Sequence, residues 1–240
     1  MQKQQDTIGF AVLGVCILLG LALLGYLLGH AALSYKQLDR SVTVKGLSER
    51  EYPADIVIWP IQYNVASNDL TELYQMLDGQ TSQIRSYLRG NGIGADEISV
   101  STPAITDKSA QQYGNDAQAQ YRYTAMQTVT VYSTHIETVR QVMASLSELG
   151  KQGIVFTGDA YQTQTEYLFT RLNAIKPEMI EEATRNAREV AQKFASDSDS
   201  TLGKIRKASQ GQFSISARDK NNPHIKKIRV VSTVEYYLSD

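Results

Sequence analysis

The residues able to do chemistry are few and scattered. Gly90-Asn91-Gly92-Ile93-Gly94 is a Gly-rich stretch, but a phosphate cradle needs such a stretch to open a helix, whose free N–H groups then face the anion. Here the glycines follow a helical pattern, so the spacing predicts a C-cap turn. Asp197-Ser198-Asp199 could offer carboxylates to a hard cation. An EF-hand loop also needs a Gly and a distal Glu that this stretch lacks, so a solvated loop is expected. His135, at a helix start, and His224, beside Pro223 in a turn, are expected at the surface. Glu181 and Glu182 are adjacent on a helical pattern and point in different directions, so they form no acid–base pair. Neither a G-x-S-x-G elbow nor a G-x-x-x-x-G-K-[ST] loop occurs. No catalytic residue, cofactor-binding residue or metal ligand is assigned, no cofactor is expected, and the chain reads as a non-enzyme.

Composition narrows the partners. The 240 residues hold 24 Lys plus Arg against 25 Asp plus Glu. That balance excludes a polybasic nucleic-acid binder and an acidic solvating tail. One Cys forbids an intrachain disulfide and a Cys-based zinc site. Charge is nonetheless segregated. Between Ser200 and Val230 stand Lys204, Arg206, Lys207, Arg218, Lys220, Lys226, Lys227 and Arg229, with Asp219 the sole acid. The segment is either the solvated face of two strands and their turn, or a basic patch that docks on an acidic neighbour or on lipid headgroups. Phe213 is its one aromatic residue, too few for base stacking. Tyr121, Tyr123, Tyr132, Tyr236 and Tyr237 suit half-buried strand positions or an assembly surface.

The elements that position these residues begin with an anchor. No Asp, Glu, Lys or Arg occurs between Asp6 and Lys36. At ~1.5 Å per residue, Ile8–Gly29 spans roughly 33 Å, enough to cross a ~30 Å hydrocarbon core. A buried core helix would carry a polar face, and none exists. Val15 before Cys16 excludes a lipoprotein signal. The run is long for a cleaved signal peptide, although Gly29-His30-Ala31 would pass as a cleavage site. The reading is an uncleaved single-pass anchor over 1–35, ahead of a soluble domain over 36–240. Flank charges are nearly even (Lys3 and Asp6 against Lys36, Asp39 and Arg40), so a large translocated domain decides the orientation.

Beyond the anchor, strands are expected at Ser41–Ser48, Asp55–Val65, Glu97–Thr106, Tyr121–Tyr132, Ile154–Phe169, Lys204–Ser216 and Ile225–Leu238. Pro60 should place the second of these at a sheet edge or a bulge. Asp69-x-x-Glu72 reads as a capping box with Leu70, Leu73, Leu77, Ile84 and Leu88 inward. Thr134-x-x-Glu137 caps a second helix with Val139, Val142, Leu146 and Leu149 inward. Pro177 opens a third, with Ile180, Ala183, Ala187, Val190 and Phe194 inward. The fold class is α+β: a mostly antiparallel sheet with three helices, preceded by one N-terminal transmembrane helix.

The ordered pieces resemble the SIMPL-domain (YggE-like) family. They are Val42-x-Val44-x-Gly46; Leu88-x-x-Asn91-Gly92-Ile93 with Ile98 and Thr102; Tyr123-x-Ala125 with Val129 and Val131; and Ala183, Ala187, Ala191 followed by Gly203-x-Ile205. The family has Pro directly before Asp where this chain has Pro53-Ala54-Asp55, and a second Gly where Ser48 stands. The resemblance implies an α+β domain, export to the periplasm, self-association into large homo-oligomers and a link to oxidative-stress tolerance. It implies no established catalysis.

Two functional classes follow. One is a homo-oligomeric scaffold of the cell envelope, anchored in the bacterial inner membrane with its C-terminal domain in the periplasm. The other is an accessory module that recruits or protects another envelope protein. Expected partners are the chain itself, the bilayer through residues 8–29 and another envelope protein, but no nucleic acid. Ala11, Gly14, Leu18, Ala22, Gly25, Gly29 and Ala32 share one helical stripe, mostly small, on which anchors could pack closely.

Overall fold

The computed structural model describes residues 2–37, 40–110, 120–157 and 164–239, with side chains placed from Gly14 to Ala31 in the first segment. In chain order the elements are α1 (Gln2–Gln37), β1 (Ser41–Pro53), β2 (Ile56–Ser67), α2 (Leu70–Gly90), β3 (Ile98–Val100), β4 (Ala104–Asp107), β5 (Tyr123–Ser133), α3 (Ile136–Ser145), α4 (Ser147–Lys151), β6 (Val155–Phe156), β7 (Glu166–Leu168), α5 (Leu172–Asp197), β8 (Thr201–Gln210), β9 (Ser214–Ala217) and β10 (Ile225–Ser239). The chain is α+β with antiparallel sheets, as expected. It divides into two compact units. One holds Met1–Glu49, Pro177–Phe213 and Arg229–Asp240; the other holds Arg50–Lys176 and Ser214–Ile228.

The Arg50–Lys176 unit is built on β2 and β5, paired antiparallel without a register shift from Val57↔Ser133 to Ser67↔Tyr123. Strand alternation sends Val57, Trp59, Ile61, Tyr63 and Val65 to one face, all buried. There they join Leu73, Leu77, Ile84 and Leu88 of α2, Val129 and Val131 of β5, and Val139 and Val142 of α3 in one core. Each such aliphatic side chain contributes about 1.5–3 kcal/mol on burial. Contrary to the edge-or-bulge expectation, β2 lies inside the sheet and runs past Pro60 with no bulge against β5. On its other side, among the described residues, β7 pairs with Ile56–Ile58 and β6 with Tyr63 and Asn64.

In the other unit, β1, β10 and β8 pair in that order, and β10 meets β8 antiparallel. Val44, Val234 and Tyr236 pack with Ala187 and Ala191 of α5. The inward stripe of α5 is Met179, Ala183, Ala187, Ala191 and Ala195, while Val190 and Phe194 are exposed. The expected stripe holds at Ala183 and Ala187 and fails at Val190 and Phe194, where Ala191 and Ala195 face inward instead. Small residues face inward because the sheet comes too close for larger ones: a Cβ on Gly46 would overlap Ala183 O and Ala187 N.

Other boundaries differ from expectation for local reasons. Among the described residues four helices follow α1, because the second predicted helix is split at Leu146. The Ser145 hydroxyl bonds back to the Val142 carbonyl, and Leu146 N–H reaches Met143 O, a tightened turn. Thr134 does not cap α3. The N-cap is His135, without a side-chain hydrogen bond. Pro177 lies inside α5, not at its start. Glu97–Thr106 divides into a 3-10 turn, β3 and β4, with Pro103 between the strands. The long strand expected over Ile154–Phe169 is two short strands, and its residues 158–163 lie outside the described ones. Lys204–Ser216 likewise divides into parts of β8 and β9. Leu70 is exposed.

Candidate functional site

The Gly-rich turn is the C-cap of α2. Asn91 is the cap, Gly92 adopts φ +89°, and Ile93 N–H donates to Leu88 O at 3.1 Å. A side chain at Gly92 would be strained there. Gly90 and Gly92 belong to that closure, whereas Gly94 opens only the 3-10 turn Ala95–Glu97 and its own N–H is taken by Glu97 Oε2 at 2.7 Å. Asp197 ends α5, and Asp199 takes the left-handed position (φ 51°) while Ser200 N–H returns to Ala195 O at 2.8 Å. This too is helix termination. Glu182 accepts from the Ser48 hydroxyl at 2.9 Å, whereas Glu181 is exposed. Among the described residues, no group of three or more His, Cys, Asp or Glu side chains converges to hold a metal ion.

The capping box at α2 is indirect. Asp69 Oδ1 accepts from Thr71 N and Glu72 N at 2.7 and 2.9 Å. Glu72 does not return directly to the Asp69 amide. Instead the Ser67 hydroxyl donates to Glu72 Oε2 at 2.6 Å and accepts from Asp69 N at 3.0 Å. Deep in the same unit, the fully buried Tyr63 hydroxyl lies 2.6 Å from Gln127 Oε1 and 2.5 Å from Thr81 Oγ1. Burial, foremost, pushes this phenol above its ordinary pKa. The Asp78 charge adds to that rise, and the bonds satisfy the hydroxyl's polarity and tie α2 to β5.

The eight basic residues divide between the two compact units. Lys204, Arg206, Lys207 and Arg229 lie in one unit; Arg218, Lys220, Lys226 and Lys227 lie in the other. Arg206 pairs with Glu235 at 3.1 Å, and Arg218 with Asp219 at 2.9 Å. The Arg218 guanidinium and the Asn222 side chain hold Asp219 down at about 2. On α1, Gly14, Ala22, Gly25 and Gly29 are exposed, with open space beside the three glycines. The side chains of Ala11 and Ala32 lie outside the described residues.

A further polar corner is not legible in sequence. Asp55 follows the β1–β2 turn. Its carboxylate accepts from Thr170 N at 3.0 Å, Thr170 Oγ1 at 3.1 Å and Arg171 Nε at 3.2 Å, just ahead of α5. Asp55 N–H donates to Leu168 O at 2.8 Å. One residue earlier, Ala54 N–H donates to His224 O at 2.8 Å, and the His224 ring meets Tyr167 edge-on. His224 is half-buried, not a surface residue as expected. Burial first, and then Arg140, holds its pKa below the usual imidazole value.

Residues 42–235 match the SIMPL family, described as a protein of unknown function (DUF541). The chain belongs to the SIMPL family. The match runs from the start of β1 almost to the end of β10. It thus takes in Gly46 and its contact with α5, the α2 C-cap and the Asp55 corner. No curated protein shows significant similarity to the chain. In this SIMPL chain Asp55 lies two residues after Pro53, and Ser48 lies two residues after Gly46. The fold gives Ser48 a role, since its buried hydroxyl donates to Glu182.

Proposed function

We propose that this SIMPL protein is a single-pass, membrane-anchored scaffold of the bacterial cell envelope, a non-enzyme that self-associates on the periplasmic side of the inner membrane. The observation that carries the reading is α1. It is long and apolar enough to cross a membrane, and none of its Gly14–Ala31 window is buried against the rest of the chain. A helix that the fold does not use, and that water would not favour, is suited to lipid. A signal sequence near the N-terminus would pass the same test of length and composition, so the anchor reading requires the segment to be retained.

Exposed apolar side chains on the outer surface support self-association. Val190 and Phe194 on α5, and Ile205 on β8, lie open in the same unit. The link to oxidative-stress tolerance rests on the family resemblance alone. The competing reading, an accessory module for another envelope protein, shares the anchor and differs in mass.

Protease added to intact spheroplasts tests the topology. The domain beyond Lys36 should be digested, and the membrane-bound protein should retain the N-terminal segment. Protection until lysis would place the domain in the cytoplasm. Recovery of a chain beginning near His30 would make the segment a signal.

A further inference from the structure

The turn between β9 and β10 meets the β1–β2 corner through His224, with the Arg218–Glu51 pair beside it at 3.8 Å. Its own shape is secured internally: Asp219 Oδ1 accepts from Asn221 N and Asn222 N at 2.8 and 2.9 Å, and Arg218 N–H donates to Ile225 O at 2.8 Å. Outward, the His224 carbonyl holds Ala54 N–H at 2.8 Å, and the imidazole stands edge-on to Tyr167 with centroids 6.1 Å apart. The Tyr167 hydroxyl reaches Met143 Sδ at 3.9 Å, so the ring beneath His224 is itself held against α3.

Charges meet at this residue from several elements. α3 contributes Glu137 and Arg140, β7 contributes Tyr167, and the turn contributes Arg218 and Asp219. Glu51 of β1 lies behind Arg218 at 3.8 Å. Both nearby acids are already committed, Glu137 to Arg140 and Asp219 to Arg218, each at 2.9 Å. A neutral imidazole suits such a place. An imidazolium would be partly desolvated beside two guanidiniums whose counter-ions are engaged.

We propose that His224 is an acid-sensitive latch: protonation of its ring releases the β9–β10 turn from Ala54 and Tyr167 while the turn keeps its own shape. The released corner adjoins Asp55, which holds Thr170 and Arg171 ahead of α5, so acidification acts on that attachment as well. The lowered pKa of the closed state sets the sign. The latch is most closed above the ordinary imidazole value of ~6.5, and it opens as pH falls through the window between that value and the lower closed-state pKa. Within the window the opening constant rises by up to about tenfold per pH unit, and below it the constant levels off. The latch does not depend on self-association.

Hydrogen exchange at the Ala54 amide of the full-length protein in detergent tests it, with rates corrected for intrinsic chemistry, between about pH 7.5 and about pH 5. Wild type should lose protection at Ala54 by up to about tenfold per pH unit within the window. His224→Gln should show protection that does not change with pH, and His135→Gln should behave as wild type. Constant protection in wild type, or the same loss in His224→Gln, overturns the latch. NMR titration of the His224 ring in wild type keeps the question open to test if the variant misfolds. A pKa at or above the ordinary imidazole value would refute the latch.

Discussion

Gly46 on β1 lies against Ala183 on α5 so closely that a Cβ would overlap the Ala183 carbonyl oxygen. The added carbon would also meet Ala187 N and come within 2.9 Å of Ala187 Cβ. The obstructing atoms are mostly helix backbone, which cannot rotate away as a long side chain would. Around this contact, Ser48 Oγ donates to Glu182 at 2.9 Å and Asn186 Nδ2 donates to Leu47 O at 2.8 Å. The helix is thus held to the strand by polar bonds on either side of a backbone contact.

Gly46→Ala should therefore cost about 3 kcal/mol or more, at the upper end of overpacking effects. For a domain of this size each kcal/mol lowers Tm by about 2–4 °C. Thermal denaturation of the variant measures this. An unchanged Tm would mean that α5 does not rest on β1 as described.

The same contact explains why the expected α5 stripe holds at Ala183 and Ala187 but departs further along. Hydrophobic periodicity gives weight to Val190 and Phe194, the larger residues, while the fold buries Ala191 and Ala195. Close approach selects the small residues, and only the partner strand reveals how close it is. By contrast β2, β5 and α2 were legible, because strict alternation and the Leu73, Leu77, Ile84, Leu88 spacing answer to one large core. The Asp55 corner was not legible. Its acceptor and donors stand 115 and 116 residues apart, and no local pattern records such a pairing.

Asp55→Ala should destabilise the Arg50–Lys176 unit by about 1–3 kcal/mol, since the Thr170 amide loses its acceptor. Asp55→Asn keeps an acceptor for that amide and loses only the attraction to Arg171, whose side chain is 58% exposed and screened by water. Urea unfolding of the two variants should rank Ala well below Asn. Equal losses would assign the corner to charge instead of to the amide bond.

The glycine stripe makes a separate claim about the anchor. Replacing Gly14, Gly25 and Gly29 with Leu fills the open space beside them and keeps helices apart. If anchors pack there, dissociation of the full-length assembly on dilution in detergent should shift by about tenfold or more, equivalent to 1–2 kcal/mol of lost helix packing. An unshifted dissociation curve would reduce the span to a tether.

Self-association is the centre of the functional reading, and mass decides it. Full-length protein extracted from membranes in mild detergent, with the N-terminal segment retained, should give by native mass spectrometry one discrete species at a large integer multiple of the chain mass. A monomer at every concentration, or a stoichiometric complex with a different envelope protein and no self-contact, would contradict the scaffold and leave the accessory role in its place.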